Sequence, residues 1–190
     1  IPRTLNQALV GIRDMSVIET PPEDRLPIQT RVAEASAGLV KDAITRELDR
    51  GGQVFYVCPR IEDMPKLEDR LRRLVPEVRV AAAHGQMASA DLEKVMEGFY
   101  DGAYEVLLST NIIESGLDIP TANTLIVERA DMFGLAQLYQ LRGRVGRADR
   151  RAYAYLLVPP DTVVSEIAQK RLAALRAFSS PSYATSLGPS

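Results

Sequence analysis

Arginines and glycines alternate in one short stretch of the chain, residues 141–147. Arg144 and Arg147 are three residues apart there, a spacing that directs both side chains to one side of a helical turn. A guanidinium group is always charged and presents a planar fork of donors that matches phosphate oxygens. The pattern therefore predicts a phosphate contact by Arg144 and Arg147, with Arg142 in the same cluster. Gln140, one turn before Arg144, is expected to lie beside the same phosphate.

The alternative for this cluster is a solvated charged face or a set of surface ion pairs, which most runs of charge form. Gly143 and Gly146 argue against that alternative, because glycine lets the backbone approach a ligand or turn without a Cβ clash. The phosphate contact is the favoured interpretation.

A second stretch, residues 109–120, follows an apolar run of strand type and carries groups suited to a nucleotide or a nucleic acid. Gly116 permits a close backbone approach, and the carboxylate of Asp118 could accept a bond from a ribose hydroxyl or orient an arginine. Thr110 and Asn111 add short polar side chains and backbone amides at a strand end, which suit a nucleic-acid phosphate. The alternatives are a turn stabilised by Asp118 and an ordinary helix N-cap.

Two further candidates follow predicted strands. His84 precedes Gly85 directly after an apolar run, and contact with a phosphate or a sugar is its best functional role. A lone histidine is more often a structural hydrogen-bonding residue, so that alternative stays open. Arg60 follows the apolar run 54–57 and is a candidate for the same contact or a plain surface arginine.

Several kinds of site are absent from the sequence. The 190 residues contain no G-x-x-x-x-G-K-[ST] phosphate loop, no G-x-G-x-x-G, and no Asp-Glu pair at a strand end to hold Mg²⁺. Ser115 lacks the glycine spacing of a hydrolase elbow, because Ile113 fills the first glycine position. One cysteine and one histidine exclude an internal disulfide and a zinc site. A complete nucleotide site within this chain is therefore not expected.

The composition is that of a globular protein, with 46% hydrophobic residues, 25% charged residues and a net charge of −2. This charge argues against a uniformly basic nucleic-acid binder and leaves room for a local basic patch. No apolar run is long enough to cross a bilayer, and the first residues lack a signal-peptide pattern. The expectation is a cytoplasmic protein without a membrane partner.

The elements that must position these residues alternate between strand and helix from residue 28 onward. Val40, Ile44 and Leu48 recur at helical spacing, and Glu47 is among the polar residues predicted to face water. Continuous apolar strands between amphipathic helices are typical of an α/β fold, a mostly parallel sheet with helices on both faces. The predicted strands are 28–32, an edge strand, 54–57, 78–83, 106–109, 125–127 and 152–158; the predicted helices lie near 40–48, 67–74, 92–99, 135–141 and 168–178.

In such sheets, ligands bind beyond the carboxyl ends of the strands. The loops after Val57, Ala83, Ser109, Val127 and Val158 are therefore the predicted ligand sites. Four parts of the chain are expected: a helix and proline-rich linker at 1–27, the sheet domain at 28–160, a helix at 161–178, and a serine-rich tail at 179–190. The uncharged tail is expected to be disordered or foreign to the natural protein.

Together, these stretches resemble the second, C-terminal RecA-like motor domain of superfamily-two helicases and translocases. Within that superfamily, residues 20–27, 84–87 and 128–137 resemble the bacterial transcription-repair coupling factors. RecG-type fork-remodelling helicases share 134–137 and 142–147 and are the alternative. By residues, 1–5 resemble the end of motif III, 54–60 motif IV, 84–87 the motif that follows it, 109–120 motif V and 140–147 motif VI; residues 161–178 resemble the start of a translocation hairpin, which the tail interrupts.

The resemblance implies an ATP-dependent translocase on double-stranded DNA. ATP with Mg²⁺ would bind mainly to a first RecA-like domain, absent from this chain, that carries the phosphate loop. Arg144, Arg147 and Gln140 would act at the γ-phosphate, with Gly116 and Asp118 facing the nucleotide. RNA polymerase and excision-repair proteins would be partners through other domains of the parent protein. The residues that would approach the DNA backbone are Arg3, Thr4, Arg60, His84, Gly85, Thr110 and Asn111.

Two other classes of function remain open from the residues alone. A non-catalytic nucleic-acid-binding module would use the arginine cluster without a nucleotide, and its DNA binding would depend strongly on salt. A structural interaction domain would instead pair Arg142, Arg144 and Arg147 with acidic residues, remote from the strand ends.

Overall fold

A wholly parallel sheet forms the centre of the fold. The computed structural model describes residues 28–110, 122–146, 150–160 and 166–179. The strands are β1 (Gln29–Glu34), β2 (Gln53–Val57), β3 (Val80–Ala83), β4 (Val106–Ser109), β5 (Ala122–Val127) and β6 (Tyr153–Val158). They lie across the sheet in the order β1-β6-β5-β2-β4-β3, so β1 is an edge strand, as predicted.

The helices begin and end where local chemistry favours it. The Ser36 hydroxyl accepts a hydrogen bond from the Leu39 N–H, at 3.1 Å, and so caps the first helix. Pro65 lies in the first turn of the second helix, where no N–H is needed. The helices are α1 (Ala37–Asp49), α2 (Met64–Leu74), α3 (Ser89–Tyr100), α4 (Leu135–Gly143) and α5 (Glu166–Ser179), with short 3₁₀ turns at Ile61–Asp63 and Ala130–Met132.

The alternation of side chains along each strand divides the core between the two faces of the sheet. On β2, Phe55 and Val57 pack on one face, whereas Val54 and Tyr56 pack on the other. Helices α3, α4 and α5 cover the first face, and α1 and α2 cover the second. The prediction of a parallel sheet with helices on both faces is confirmed. The helix residues in these cores include Met96, Phe99, Leu138, Leu141, Leu172 and Leu175 on the first face and Val40, Ile44, Leu67 and Leu71 on the second.

The expectation that Glu47 faces water is wrong. Glu47 is only 1% exposed, and the Thr124 hydroxyl of β5 donates a hydrogen bond to its carboxylate. The guanidinium of Arg50 lies 3.6 Å from the other carboxylate oxygen. The Thr124 hydroxyl and the nearby Arg50 guanidinium offset the cost of burying a carboxylate.

The bounds of two strands differ from the prediction. β5 begins at Ala122, three residues before the apolar run, because the polar side chains of Asn123 and Thr124 are also buried. β3 begins at Val80, because Val78 belongs to a turn in which its N–H donates to the Val75 carbonyl, at 2.9 Å.

The predicted helix and linker at 1–27, and the tail from residue 180 onward, lie outside the described residues. Within the described ranges, no helix combines the length and the apolar character needed to cross a membrane.

Candidate functional site

Three of the residues predicted to contact nucleic acid follow neighbouring strands at one edge of the sheet. Val57 and Ala83 both pair with Ser109, so β2, β3 and β4 end level with one another. Arg60, His84 and Thr110 therefore lie in the loops that continue from three adjacent strand ends. Adjacent strands are about 4.8 Å apart, a spacing that allows these loops to follow one nucleic-acid backbone. We call this side the carboxyl edge.

Arg60 and His84 offer different donors at the carboxyl edge. The Arg60 side chain is 55% exposed and forms an ion pair with Asp63, at 3.0 Å. His84 is half-buried, and its Nδ1 accepts a hydrogen bond from the Gln86 N–H, at 3.2 Å. In the neutral imidazole this bond assigns the proton to Nε2, which is then a donor. Gly85, directly after His84, is exposed.

Thr110 is less accessible than the sequence suggests. It is 8% exposed, and its carbonyl accepts a hydrogen bond from the Ser109 hydroxyl, at 2.6 Å. In the described structure, therefore, the Ser109 hydroxyl donates to backbone rather than projecting from the edge. Asn111, Arg3 and Thr4, the other predicted DNA contacts, lie outside the described residues.

The cysteine at this edge is a core residue. Cys58 follows β2, is fully buried, and has its Sγ 3.5 Å from the Arg60 carbonyl. Burial raises the pKa of the Cys58 thiol to about 11. The thiol is therefore protonated and unreactive at neutral pH.

Two arginines at the carboxyl edge were missed by the sequence interpretation. Arg129 follows β5 with a left-handed φ of 54°, and its guanidinium pairs with Asp131, at 2.9 Å. This pairing holds the pKa of Asp131 below its usual value. Arg70 of α2 bonds to Glu128, at 3.3 Å. Arg129 stands in one of the loops after strand ends that were predicted as ligand sites. No pattern in the sequence distinguished Arg70 from other exposed helix arginines.

A cavity of about 330 Å³ opens beside these arginines, where β1, β6, β5 and β2 end. Tyr56 lines this cavity and donates a hydrogen bond to Glu128, at 2.5 Å. Burial, reinforced by the Glu128 carboxylate, raises the pKa of Tyr56 well above its usual value. The phenol therefore remains a donor at neutral pH, and Glu128 is held between Tyr56 and Arg70.

Arg144, one of the predicted phosphate ligands, lies at the opposite side of the sheet, which we call the amino edge. Helix α4 starts after the carboxyl end of β5 and ends at Gly143, so Arg144 follows its last turn. The Gly146 N–H then donates to the carbonyl of Ala122, the first residue of β5, at 2.9 Å. The rule that ligands lie beyond the carboxyl ends of the strands therefore does not locate Arg144. Gln140 is exposed and Arg144 half-buried.

Arg142 does not share the setting of Arg144, and its predicted phosphate contact is wrong. Its guanidinium donates to the Leu175 carbonyl of α5, at 3.2 Å, and to the Thr30 hydroxyl of β1, at 3.4 Å. It also lies 5.1 Å from the centre of the Tyr139 ring. Burial lowers the pKa of Arg142, although a guanidinium stays charged in proteins. Arg142 joins α4 to α5 and β1 through the Leu175 carbonyl and the Thr30 hydroxyl.

Gly146 turns the chain immediately after Arg144. Its φ of +102° is rarely adopted by residues with a side chain, and an added Cβ would lie 3.1 Å from the Ala152 Cβ. The conformational freedom of glycine is therefore used here to bring the backbone against β5. Gly143, by contrast, is helical, and an added Cβ would meet no atom within 4 Å.

Gly146→Ala is expected to lower the local free energy of unfolding by about 1–2 kcal/mol, because alanine is strained at positive φ. Gly143→Ala is the matched control and is expected to stabilise the helix end by up to about 1 kcal/mol. Hydrogen–deuterium exchange of the peptides that cover β5 and α4 in the full-length protein measures both changes. Equal effects of the two substitutions would contradict a special backbone role for Gly146.

Arg147, Gly116 and Asp118 lie outside the described residues. In the ranges that are described, no three His, Cys, Asp or Glu side chains gather in a way that could hold a metal ion.

Comparison with known proteins identifies the family. The helicase conserved C-terminal domain family matches residues 37–149, which is more than half of the chain. The chain belongs to this family. This helicase C-terminal domain includes both edges described above, because the match extends from the start of α1 past the end of α4.

The helicase C-terminal domain is similar to parts of much longer proteins. It is 58% identical over 178 residues to the transcription-repair-coupling factor of Myxococcus xanthus and 55% identical to that of Bacillus subtilis. Each match covers 94% of this chain but only 15% of the relative, so the chain spans about a seventh of the curated relatives that it matches.

Solved structures support the fold. The RecG protein bound to a three-way DNA junction is 34% identical to this helicase C-terminal domain with a TM-score of 0.71, over 86% of this chain and 22% of RecG. The C-terminal domain of the DEAD-box protein Dbp5 has a TM-score of 0.58 at 20% identity, over 80% of this chain and 85% of that domain. The second likeness concerns the fold alone.

Proposed function

We propose that this domain is the second motor domain of an ATP-dependent translocase on double-stranded DNA. The observation that carries the proposal is the separation of two sets of residues on opposite edges of one sheet. Arg144 and Gln140 lie at the amino edge, whereas Arg60 and His84 lie at the carboxyl edge. A motor domain needs such an arrangement, because nucleotide and DNA must bind at once without competing for the same side chains.

At the amino edge, Arg144 and Arg147 act on the triphosphate of the substrate ATP. ATP and its Mg²⁺ are held mainly by a first RecA-like domain, since this chain has no phosphate loop. The described residues fit an arginine supplied across a domain boundary: Arg144 follows a helix end that is anchored through Gly146, and Gln140 is exposed one turn earlier. A guanidinium placed there neutralises charge that develops on the transferred phosphoryl group.

At the carboxyl edge, the domain holds the DNA backbone. Arg60 contributes a guanidinium and His84 an imidazole N–H donor, while Gly85 lets the backbone come close. Contacts to phosphate fix position without reading sequence, which suits a protein that moves along any duplex. Arg129 and Arg70 add two guanidiniums on this side near the end of β5, each paired with a carboxylate, Asp131 and Glu128.

We further propose that the parent protein acts in transcription-coupled repair, displacing stalled RNA polymerase and recruiting excision-repair proteins through its other domains. The identity of 58% to a protein named transcription-repair-coupling factor supports this assignment. The RecG likeness at 34% identity favours DNA as the partner and makes a fork-remodelling helicase the second candidate. The assignment is tested by measuring displacement of a stalled polymerase. The full-length protein should displace the polymerase, and the protein from which this domain is deleted should not.

Arg60→Ala in the full-length protein is expected to weaken binding to duplex DNA severalfold, because one phosphate contact is lost. The slope of log affinity against log salt should fall by about 0.9. ATP hydrolysis in the absence of DNA should stay unchanged, because Arg60 lies at the opposite edge from Arg144. Fluorescence-anisotropy titrations at several salt concentrations measure affinity and slope together.

Arg73→Ala is the matched control for this experiment. Arg73 is an exposed arginine in the last turn of α2, so it lies away from the carboxyl edge. Its removal changes the net charge equally but should leave the salt slope as it is. An unchanged slope for Arg60→Ala, or an equal change for both variants, would contradict the placement of DNA at the carboxyl edge.

A further inference from the structure

Arg50 ties the end of α1 to the segment that follows the predicted phosphate ligands. It is the C-cap residue of α1, and its guanidinium donates to the Arg151 carbonyl, at 2.6 Å. The same guanidinium lies 5.1 Å from the centre of the Tyr153 ring and 3.6 Å from the Glu47 carboxylate. Three groups therefore fix one side chain, which is only 25% exposed.

Arg150 makes the reciprocal contact. Its guanidinium donates to the Arg50 carbonyl, at 2.7 Å. The carbonyls at the end of a helix have no partner within the helix, so Arg150 satisfies a group that would otherwise need water. Each arginine thus bonds to the backbone of the other's segment, across a sequence separation of about a hundred residues.

Described residues on both sides of 147–149 are bound to the sheet domain. On one side, Val145 is fully buried and the Gly146 N–H bonds to Ala122, at 2.9 Å. On the other side, Arg150 and the Arg151 carbonyl are bound to the end of α1. Both anchors belong to secondary structure elements of the sheet domain, namely β5 and α1. The described backbone is thereby fixed immediately before residues 147–149, next to Arg144, and immediately after them.

Charge neutralisation does not explain the pair. The two guanidiniums bond to carbonyl oxygens, and of their contacts given above only that of Arg50 with Glu47 involves an acidic group. A guanidinium fork directed at carbonyls is a geometric constraint more than an ionic one. Both contacts also lie at the amino edge, away from the residues proposed to follow DNA.

We propose that Arg50 and Arg150 are positioning residues for the arginines that act on the ATP phosphates. The inference rests on the proposed function. An arginine supplied from a second domain stabilises the transition state only if its donors meet the phosphoryl oxygens, and a displacement of about 1 Å can cost about 10²-fold in rate. The reciprocal bonds supply that precision without contact to the nucleotide.

The test uses steady-state ATP hydrolysis by the full-length protein in the presence of duplex DNA. Arg150→Ala is expected to lower kcat by about 10–100-fold, with KM for ATP changed less than about threefold, because misplacement acts on the transition state. Arg150→Lys keeps one donor within reach of the Arg50 carbonyl and should recover part of the lost kcat. Arg50→Ala should reproduce the Arg150→Ala profile.

Neighbouring arginines supply the controls. Arg151→Ala removes an exposed side chain and keeps the carbonyl that Arg50 uses, so its kcat should stay within about twofold of the parent value. Arg46→Ala likewise removes an exposed side chain, one turn before Arg50 on α1, and its kcat should also stay within about twofold of the parent value. A loss in these controls equal to that of Arg150→Ala would overturn the proposal, since charge alone would then explain the effect.

A double-substitution comparison distinguishes positioning from other roles. In a background with Arg144→Ala and Arg147→Ala, adding Arg150→Ala should cause no further loss, because the residues that it positions are already gone. A further loss, or weaker DNA binding without nucleotide, would overturn the proposal. If Arg150→Ala does not fold, the kcat of Arg150→Lys and Arg50→Lys decides, and values equal to the parent's would overturn it.

The failure of this inference differs from the failure of the proposed function. If Arg144→Ala hydrolyses ATP normally, the function itself is wrong. If Arg144→Ala is inactive while Arg150→Ala and Arg50→Ala are fully active, only the positioning role is wrong.

Discussion

Replacing Arg144 with alanine in the full-length protein is expected to lower DNA-stimulated ATP hydrolysis by about 10³-fold, the lower bound for an arginine supplied across a domain boundary. ATP binding should survive, because the charge that Arg144 neutralises grows mainly in the transition state. The measurement is steady-state hydrolysis with and without duplex DNA, together with titration of a fluorescent nucleotide. Arg147→Ala is expected to behave in the same way.

Two further variants make this result specific. Arg144→Lys keeps the charge but loses the planar fork, so it should recover only a small part of the rate. Arg73→Ala removes an exposed arginine from α2 and should hydrolyse ATP normally. A normal turnover number for Arg144→Ala would leave the domain without its proposed role in hydrolysis, and a nucleic-acid-binding module would become the better interpretation.

The second large effect concerns stability. Arg142→Met is expected to lower the local free energy of unfolding by about 1.5–3 kcal/mol, because hydrogen bonds from a charged group are lost and the Leu175 carbonyl loses this donor. Methionine keeps the apolar stem against Tyr139, so the loss reports the guanidinium rather than a cavity. Hydrogen–deuterium exchange of the α5 and β1 peptides in the full-length protein measures it.

The two neighbouring arginines should therefore separate stability from turnover. Arg142→Met should loosen α5 and β1 while the folded protein keeps its turnover number. Arg144→Ala should do the reverse, with exchange unchanged and turnover lost. If Arg142→Met instead abolished hydrolysis without altering exchange, the assignment of Arg142 to the packing of α5 would be wrong.

The order of strands and helices was predictable because most strands are continuous apolar runs. Only the second half of β5 was predicted, because Asn123 and Thr124 are polar residues although both are buried. Glu47 was misplaced for the same reason. Its buried partner, Thr124, stands 77 residues further along the chain, so no local pattern could reveal the pairing.

The different surroundings of Arg142 and Arg144 could partly have been predicted from the sequence. Arg142 comes one turn after Leu138, and residues four apart share a helix face. Leu138 is buried, so the stripe of α4 that faces the core also contains Arg142. Arg144, two residues on, falls outside that stripe. Residue type alone grouped the two arginines, whereas helical phase separates them.

The amino-edge position of Arg144 also follows from connectivity. A helix that joins two parallel strands must run back along the sheet, so it starts near one edge and finishes near the other. The expectation of ligands beyond the strand ends therefore concerns the loops after β2, β3 and β4 and could not locate a residue at the end of a helix. The contacts of Arg50 with Arg150 lay beyond prediction, because each side chain bonds to backbone about a hundred residues away.

Helix α4 consists of 9 residues, or about 13 Å of stiff backbone, and runs from the carboxyl edge to the amino edge of the sheet. An α-helix resists compression along its axis because its hydrogen bonds run in that direction. A displacement of Arg144 along the helix axis would therefore move Gly134, at the other end of α4, by nearly the same distance. Under the proposed function, α4 would connect the edge that acts on ATP with the edge that holds DNA as one stiff element, without bending of the sheet.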